Sequence, residues 1–123
     1  MPPTVLIIDD DPAVVRFLAA ALRLGGYLTV TAHTGTDGLA AAIAAPPDAV
    51  LLDVSMPGMD GLEVLARLKA GPGTAGIPVL MLTASFDPNC EPAALARGAA
   101  RFLSKPISTA ALLAAVQAVA PLR

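Results

Sequence analysis

The chain has 123 residues, of which 55% are hydrophobic and 15% are charged, and its formal net charge is −2. This composition is sufficient for one well-packed domain, and we expect residues 1–123 to form it. The slightly acidic balance argues against nucleic-acid binding by this chain, and a single cysteine, Cys90, excludes an internal disulfide framework. Without a signal-like start or an apolar run of about 18 residues, the sequence predicts a soluble, cytoplasmic protein that does not contact a membrane.

Strand-like and helix-like segments alternate along the chain. The strand-like segments are 4–9, 28–32, 48–53, 78–84 and 101–104. The helix-like segments run from Pro12 to the glycines at 25 and 26, over 35–45, over 61–70, more weakly around 92–98, and over 108–120. The strands read as continuous apolar runs between helices, which is typical of a parallel sheet covered on both faces. The sequence therefore predicts a three-layer α/β domain.

The segment before the fifth strand is the least regular of the series. Pro88 and Pro92 both fall within residues 85–98. Proline has no amide hydrogen to donate and is excluded from the interior of a helix. We therefore expect the fourth helix to start late and to be short.

Polar side chains follow the carboxyl ends of four predicted strands. Asp9, Asp10 and Asp11 end the first strand, Asp53 ends the third, Thr83 lies at the end of the fourth, and Lys105 follows the fifth. Ligands of open parallel sheets bind beyond these ends. If the four strands are neighbours, three carboxylates, a hydroxyl and an ammonium group converge on one crevice. Clustered carboxylates repel one another unless a cation intervenes, and their hard oxygen atoms suit Mg²⁺.

Such a set of side chains favours phosphoryl chemistry. A carboxylate can attack a phosphoryl group, and the charge on the phosphoryl oxygens then needs a metal ion, a cation and hydrogen-bond donors. Asp53 would accept the phosphoryl group, while Asp9 and Asp10 would hold Mg²⁺. Lys105 would pair with one phosphoryl oxygen, and the Thr83 hydroxyl would donate to another.

Four ordered motifs span most of the chain. They are LIIDDDP (6–12), LLDVSMPGMDGLEVL (51–65), VLMLTAS (79–85) and GAARFLSKPI (98–107). In this order and spacing they resemble the receiver domains of two-component response regulators, which share the fold of the chemotaxis response regulator. The resemblance implies a flavodoxin-like sheet of strand order 2-1-3-4-5. It also implies a signalling domain that catalyses only its own phosphorylation and dephosphorylation.

At matching positions, the resemblance implies roles for individual residues of the crevice. Asp53 is the phospho-acceptor, and Asp9, Asp10, Asp53 and the backbone carbonyl of Ser55 bind Mg²⁺. Lys105 is the lysine that contacts the phosphoryl group. The phosphoryl group would come from a histidine kinase or a histidine phosphotransfer protein in a Mg²⁺-dependent reaction.

Two further residues match the switch pair of these domains. The Thr83 hydroxyl would move toward the phosphoryl group while the Phe102 ring turns inward. Taken alone, Thr83 is an ordinary strand residue and Phe102 is an ordinary core residue. The order of the motifs favours the switch. The bond between Lys105 and Pro106 is expected to be cis, as is usual in similar domains.

Other acids in these motifs have a simpler interpretation. Asp11 precedes Pro12, and an acid in this position is typical of a helix N-cap. Asp60 belongs to PGMDG, which is a turn signal. We interpret both residues as structural and leave them out of the site.

The last predicted helix contributes to a candidate partner surface. The fourth helix, the fifth strand and the fifth helix together offer a face for a downstream protein or a homodimer. No charged residue lies between Pro106 and Leu122. We expect Leu112, Val116 and Val119 to pack on the sheet and Leu113 to point outward, where a partner could cover it.

Two other functions share parts of this pattern. A Mg²⁺-dependent phosphatase of the dehalogenase type also forms an aspartyl phosphate, and residues 9–11 could supply its Asp-x-Asp pattern on the first strand. The chain lacks room for the cap insertion of that class. A flavin or nucleotide binder would need a glycine- or hydroxyl-rich phosphate loop after the first strand, and that loop is absent.

Overall fold

The computed structural model describes residues 2–84 and 88–122. The strands in this part of the chain are β1 (Thr4–Ile8), β2 (Leu28–Ala32), β3 (Ala49–Asp53), β4 (Val79–Thr83) and β5 (Arg101–Ser104). The helices are α1 (Pro12–Leu24), α2 (Gly35–Ala44), α3 (Gly61–Ala70), α4 (Cys90–Ala96) and α5 (Thr109–Val119). The predicted alternation of strands and helices is confirmed.

The strands form one parallel sheet in the order β2-β1-β3-β4-β5. This is the flavodoxin-like order that the resemblance implied. In the register of the sheet, Asp53 lies opposite Leu82 and Thr83 lies opposite Ser104. The carboxyl ends of β1, β3, β4 and β5 therefore lie side by side at one edge of the sheet.

Two apolar layers cover the faces of the sheet. Along β1, Leu6 and Ile8 face the layer that contains α2, α3 and α4, whereas Val5 and Ile7 face the layer that contains α1 and α5. Successive side chains of a strand point to opposite faces, so one apolar run supplies both layers. Every residue of β3 and β4 is buried. The edge strand β2 is more exposed, and Ala32 is its one buried residue.

Helix α4 is short, as predicted, and has only seven residues. It begins at Cys90, two residues before the segment in which we expected it. Pro92 occupies its third position, which lies in the first turn, where an amide hydrogen would have no partner within the helix. The proline therefore limits where the helix can start without breaking it. Ser85, the last residue of the motif VLMLTAS, lies outside the described residues.

Helix α5 packs against both the sheet and α1. Leu112 and Val116 are fully buried and Val119 is partly buried, as predicted. Leu113 is half-buried, with its side chain in the space that Gly25 leaves at the end of α1. The prediction that Leu113 points outward is therefore wrong. The reason is that α1 and α5 lie side by side on one face of the sheet, so that two sides of α5 are covered.

The helices are short compared with the thickness of a bilayer. The longest in the described ranges is α1, with 13 residues, whereas a spanning helix needs about 20. Within residues 2–84 and 88–122, no helix has the length and apolar character to cross a membrane.

Candidate functional site

The carboxyl ends of β1, β3, β4 and β5 border an open crevice of about 490 Å³. Its lining residues are Asp9, Asp10, Asp11, Asp53, Ser55, Thr83, Ala84 and Lys105. The structure thus brings together the acids, the hydroxyl and the lysine that the sequence places at separate strand ends. Phe102 does not line the crevice.

Three carboxylates form the acidic wall of the crevice. One oxygen each of Asp9, Asp10 and Asp53 lies within 4.8 Å of the other two. Asp9 and Asp53 are only 2% and 6% exposed, whereas Asp10 faces the solvent. Hard carboxylate oxygens at this spacing fit a divalent cation such as Mg²⁺, and the open side leaves room for the waters that Mg²⁺ retains.

Asp9 is held by groups on both of its carboxylate oxygens. Its Oδ1 accepts a hydrogen bond from the amide of Asp11 at 2.9 Å, and its Oδ2 accepts one from Lys105 Nζ, also at 2.9 Å. The Asp11 side chain accepts from the amide of Ala13 and so caps α1, as predicted. Asp11 therefore lines the crevice as a structural residue, and it orients Asp9 through its backbone.

Lys105 places an ammonium group between two acids. Its Nζ lies 2.9 Å from Asp9 Oδ2 and 3.4 Å from Asp53 Oδ1. Burial by itself lowers the pKa of Lys105, but the hydrogen bond to Asp9 and the charges of Asp53 and Asp9 outweigh burial, so the pKa is raised overall. The ammonium group is therefore charged at neutral pH. The bond between Lys105 and Pro106 is cis, as predicted.

Asp53 ends β3 at the floor of the crevice. Its Oδ1 accepts a long hydrogen bond, 3.4 Å, from the amide of Ser55. Burial and the neighbouring Asp9 raise the pKa of Asp53, while Lys105 and the Ser55 amide oppose this change. Asp53 is thus a buried carboxylate whose negative charge is offset only in part by the lysine.

The loop that follows Asp53 connects β3 to α3. Gly58 has a φ of +80°, a conformation that glycine adopts at little cost. The Asp60 side chain accepts from the amide of Glu63 at 3.0 Å and caps α3, so the interpretation of Asp60 as structural is confirmed. The Gly61 amide donates to the Val54 carbonyl at 2.8 Å. Both ends of the loop are therefore fixed beside the acceptor strand.

The two residues of the predicted switch lie on neighbouring strands. Thr83 is 1% exposed and lines the crevice. Phe102 pairs in register with Met81 and packs, half-buried, against the apolar layer below α3 and α4. The side chains thus belong to adjacent strands, with Thr83 at the crevice and Phe102 nearer the surface.

Sequence reasoning missed two features of this site. One is the pairing of Lys105 with Asp9, which joins β5 to β1 across the ends of two other strands. The other is the close contact between Gly61 and the backbone of Asp53. The motif PGMDG contains the glycine, but nothing in the motif indicates what the glycine contacts.

Comparisons with known proteins identify the family. The family model described as the response regulator receiver domain matches residues 5–117. The chain belongs to this receiver domain family. Receiver domains are signalling domains of two-component systems, and accepting a phosphoryl group is the general function of the family.

Similar proteins and structures agree with the assignment as a receiver domain. The transcriptional regulatory protein KdpE of Mycobacterium tuberculosis is 40% identical over 114 residues, which are 93% of this chain and 49% of KdpE. A response regulator structure from Chloroflexus aurantiacus has a TM-score of 0.92 and 36% identity, with 97% of this chain and 98% of the other covered.

The chemotaxis protein CheY4 of Vibrio cholerae has a TM-score of 0.91 and 32% identity, with 97% of the receiver domain and 99% of the CheY4 chain covered. The receiver domain spans about half the length of curated relatives such as KdpE.

Proposed function

We propose that this receiver domain accepts a phosphoryl group on Asp53 from a histidine kinase or a histidine phosphotransfer protein. The observation that carries the proposal is the meeting of the Asp9, Asp10 and Asp53 carboxylates with the Lys105 ammonium group in one crevice. Membership of the family supports the same role. We further propose that residues 1–123 form a single domain that acts in the cytoplasm.

Asp53 is the nucleophile in this proposal. One of its carboxylate oxygens forms a bond to phosphorus while the bond from phosphorus to the imidazole nitrogen of the donor breaks, and the nitrogen keeps the electron pair. The buried strand β3 holds the Asp53 carboxylate in one position at its end. A fixed position of the nucleophile favours in-line attack on the donor. Attack of water on the phosphorus atom breaks its bond to the carboxylate oxygen, which releases inorganic phosphate and restores the Asp53 carboxylate.

Asp9, Asp10, Asp53 and the carbonyl of Ser55 form the proposed Mg²⁺ site. When bound, Mg²⁺ supplies positive charge next to the phosphoryl oxygens. The amide of Asp11 fixes one oxygen of Asp9, so Asp9 needs little reorganisation to act as a ligand. Asp10 lies on the exposed side, where it can bind the ion together with water.

Lys105 and Thr83 are the proposed donors to the phosphoryl group. Lys105 already lies beside Asp53, and its raised pKa keeps it positively charged. The ammonium group can pair with a phosphoryl oxygen, and the Thr83 hydroxyl can donate to another. The domain thus catalyses its own phosphorylation and dephosphorylation and needs no external substrate besides the phosphodonor.

The proposed output is a change of the surface around Phe102. Movement of the Thr83 hydroxyl toward the phosphoryl group would free space on β4, and the half-buried ring of Phe102 on β5 could turn into it. This would alter the face made by α4, β5 and α5. A downstream protein or a second copy of the domain that binds one arrangement better would shift the equilibrium toward it.

The dehalogenase-type alternative needs a nucleophile on β1. Both oxygens of Asp9 are already hydrogen-bonded, and Asp11, the second acid of the Asp-x-Asp pattern, caps α1. Within residues 2–84 and 88–122, Asp53 accepts a long hydrogen bond from Ser55 and makes a 3.4 Å contact with Lys105. These contacts favour Asp53 as the nucleophile.

The proposal is tested by phosphorylation with a small donor. The protein is incubated with acetyl phosphate and Mg²⁺, and its intact mass is measured; a parallel sample contains EDTA. We expect the addition of one phosphoryl group that depends on Mg²⁺. An unchanged mass with Mg²⁺, together with binding of flavin in a separate titration, would reject the proposal in favour of the flavin alternative.

A further inference from the structure

Gly61 lies directly against the backbone of the proposed acceptor. A Cβ atom at Gly61 would overlap the carbonyl oxygen of Asp53 and would lie 2.9 Å from its carbonyl carbon and 2.7 Å from the Cα atom of Val54. No φ in the left-handed range is involved. The position therefore requires glycine for reasons of space rather than of backbone conformation.

The three atoms nearest to a Cβ atom at Gly61 are all backbone atoms, which distinguishes Gly61 from Gly25 and Gly38. The three atoms nearest to a Cβ atom at Gly25 all belong to the side chain of Leu113, and those nearest to one at Gly38 all belong to the side chain of Ile8. A side chain can change its rotamer to make room. The peptide between Asp53 and Val54 cannot move aside in this way, because it belongs to the end of β3. A side chain at position 61 would therefore force either the strand end or α3 to move.

A displacement of α3 or of the end of β3 would change the geometry of the crevice. The Gly61 amide donates a hydrogen bond to the carbonyl of Val54, the residue that follows Asp53. This bond holds the first residue of α3 next to the end of β3. Ser55, whose amide contacts the Asp53 carboxylate, is the next residue of the same loop. A displacement of the Asp53 backbone therefore changes the distances from its carboxylate to Asp9 and to Lys105.

We infer that Gly61 is a positioning residue for phosphoryl transfer. Because Gly61 has no side chain, the first residue of α3 can lie directly against the Asp53 peptide. This contact sets the position of the Asp53 carboxylate relative to the other charged groups of the crevice. The inference rests on the proposed function of Asp53. It assigns to the second glycine of PGMDG a part in the geometry of the reaction.

The test compares Gly61→Ala with two control variants. Gly25→Ala introduces the same methyl group at a crowded glycine far from the crevice. Asp60→Ala removes the cap of α3 and loosens the same helix start without inserting an atom next to Asp53. For each protein, the rate of phosphorylation by acetyl phosphate at saturating Mg²⁺, the Mg²⁺ dissociation constant by calorimetry, and the urea midpoint are measured.

We expect Gly61→Ala to react about ten-fold or more slowly at saturating Mg²⁺ and to bind Mg²⁺ more weakly, because a small misplacement of a reacting group is costly. The controls should have lower urea midpoints but rates within about two-fold of wild type. Rates are measured in trimethylamine N-oxide for every variant, because this osmolyte favours the folded state.

Three results would overturn the inference. Gly61→Ala could react at the wild-type rate, the controls could slow the reaction as strongly, or Gly61→Ala could fail to fold even with the osmolyte, which would make the contact a requirement of folding only. Asp53→Asn is included to separate the two proposals. If Asp53→Asn is phosphorylated like wild type, the assignment of Asp53 as the acceptor fails. If Asp53→Asn is not phosphorylated but Gly61→Ala reacts at the wild-type rate, the positioning role of Gly61 fails and the acceptor assignment stands.

Discussion

Lys105 donates a hydrogen bond to Asp9 across 2.9 Å, although 96 residues separate them in the chain. Lys105 follows β5 and Asp9 follows β1, and β3 and β4 lie between these strands in the sheet. The lysine side chain therefore extends over the carboxyl ends of β3 and β4, and its ammonium group also lies beside Asp53. This contact joins the two outer parts of the site, and the one ammonium group offsets part of the charge of the two buried acids.

Replacement of Lys105 by methionine should destabilise the protein when Mg²⁺ is absent. The variant leaves Asp9 and Asp53 facing each other without a cation, and it loses a hydrogen bond between charged groups. We expect the free energy of unfolding, measured with urea, to fall by about 2 kcal/mol. Saturating Mg²⁺ should restore part of the loss. Arg101→Met, at an exposed position of β5, is the control, and equal stability of the two variants would contradict the assignment.

Removal of the Asp10 carboxylate should affect the ion more than the fold. Asp10 is exposed and its carboxylate lies within 4.8 Å of two other acids, so Asp10→Ala relieves repulsion while it deletes a ligand. Calorimetric titration should show Mg²⁺ affinity reduced by about ten-fold or more, and urea unfolding should show no loss of stability. Undiminished affinity would remove Asp10 from the metal site.

Tyr27 should make the stability depend on pH in the alkaline range. Its buried hydroxyl donates to the carbonyl of Ala120 at 2.8 Å, and burial raises the pKa of Tyr27. The folded state thus keeps a proton that the unfolded state loses above the ordinary tyrosine pKa of about 10. This contribution is complete below pH 10 and decreases as the pH rises toward the higher pKa of the folded state.

The matching variant is Tyr27→Phe, and Tyr27 is the only tyrosine of the chain. At pH 7 the variant should be about 1 kcal/mol less stable in urea, because the hydrogen bond is lost. The difference between the two proteins should shrink as the pH rises above about 10. A difference that stays constant across this range would mean that the hydroxyl does not titrate differently in the folded state.

Leu113 should contribute to stability through α1. Its half-buried side chain fills the space beside Gly25, so Leu113→Ala should cost about 1 to 2 kcal/mol, less than a fully buried leucine. Gln117→Ala, at an exposed position of the same helix, should cost little. Thermal or urea unfolding separates the two. If both variants are as stable as wild type, the contact between α1 and α5 is unimportant for the fold.

The sequence predicted the strands well because they are simple local patterns. Asp53 could be placed at the end of a buried strand because the apolar run before it is continuous. The order of the strands, in contrast, came from the resemblance to receiver domains, since the apolar runs alone do not distinguish which strands are neighbours. Once the order is given, the convergence of Asp9, Asp53, Thr83 and Lys105 follows.

Contacts that depend on the packing of neighbouring elements could not be predicted. The helical spacing placed Leu112 and Val116 on the sheet, but the burial of Leu113 depends on the position of α1. The contact between Gly61 and Asp53 depends on how closely α3 approaches β3. Both are distances between elements, and the sequence pattern of one element does not contain them.

The most direct test of the account is the location of the phosphoryl group. Wild type, Asp53→Asn and Asp60→Asn are treated with acetyl phosphate and Mg²⁺, and the phosphorylated residue is identified by mass spectrometry of peptides after borohydride reduction of the aspartyl phosphate. Asp60→Asn makes the same chemical change at the cap of α3, where asparagine caps as well as aspartate does. We predict modification of Asp53 in wild type and in Asp60→Asn, and none in Asp53→Asn. Equal incorporation into Asp53→Asn, or modification of Asp9 in wild type, would contradict the account.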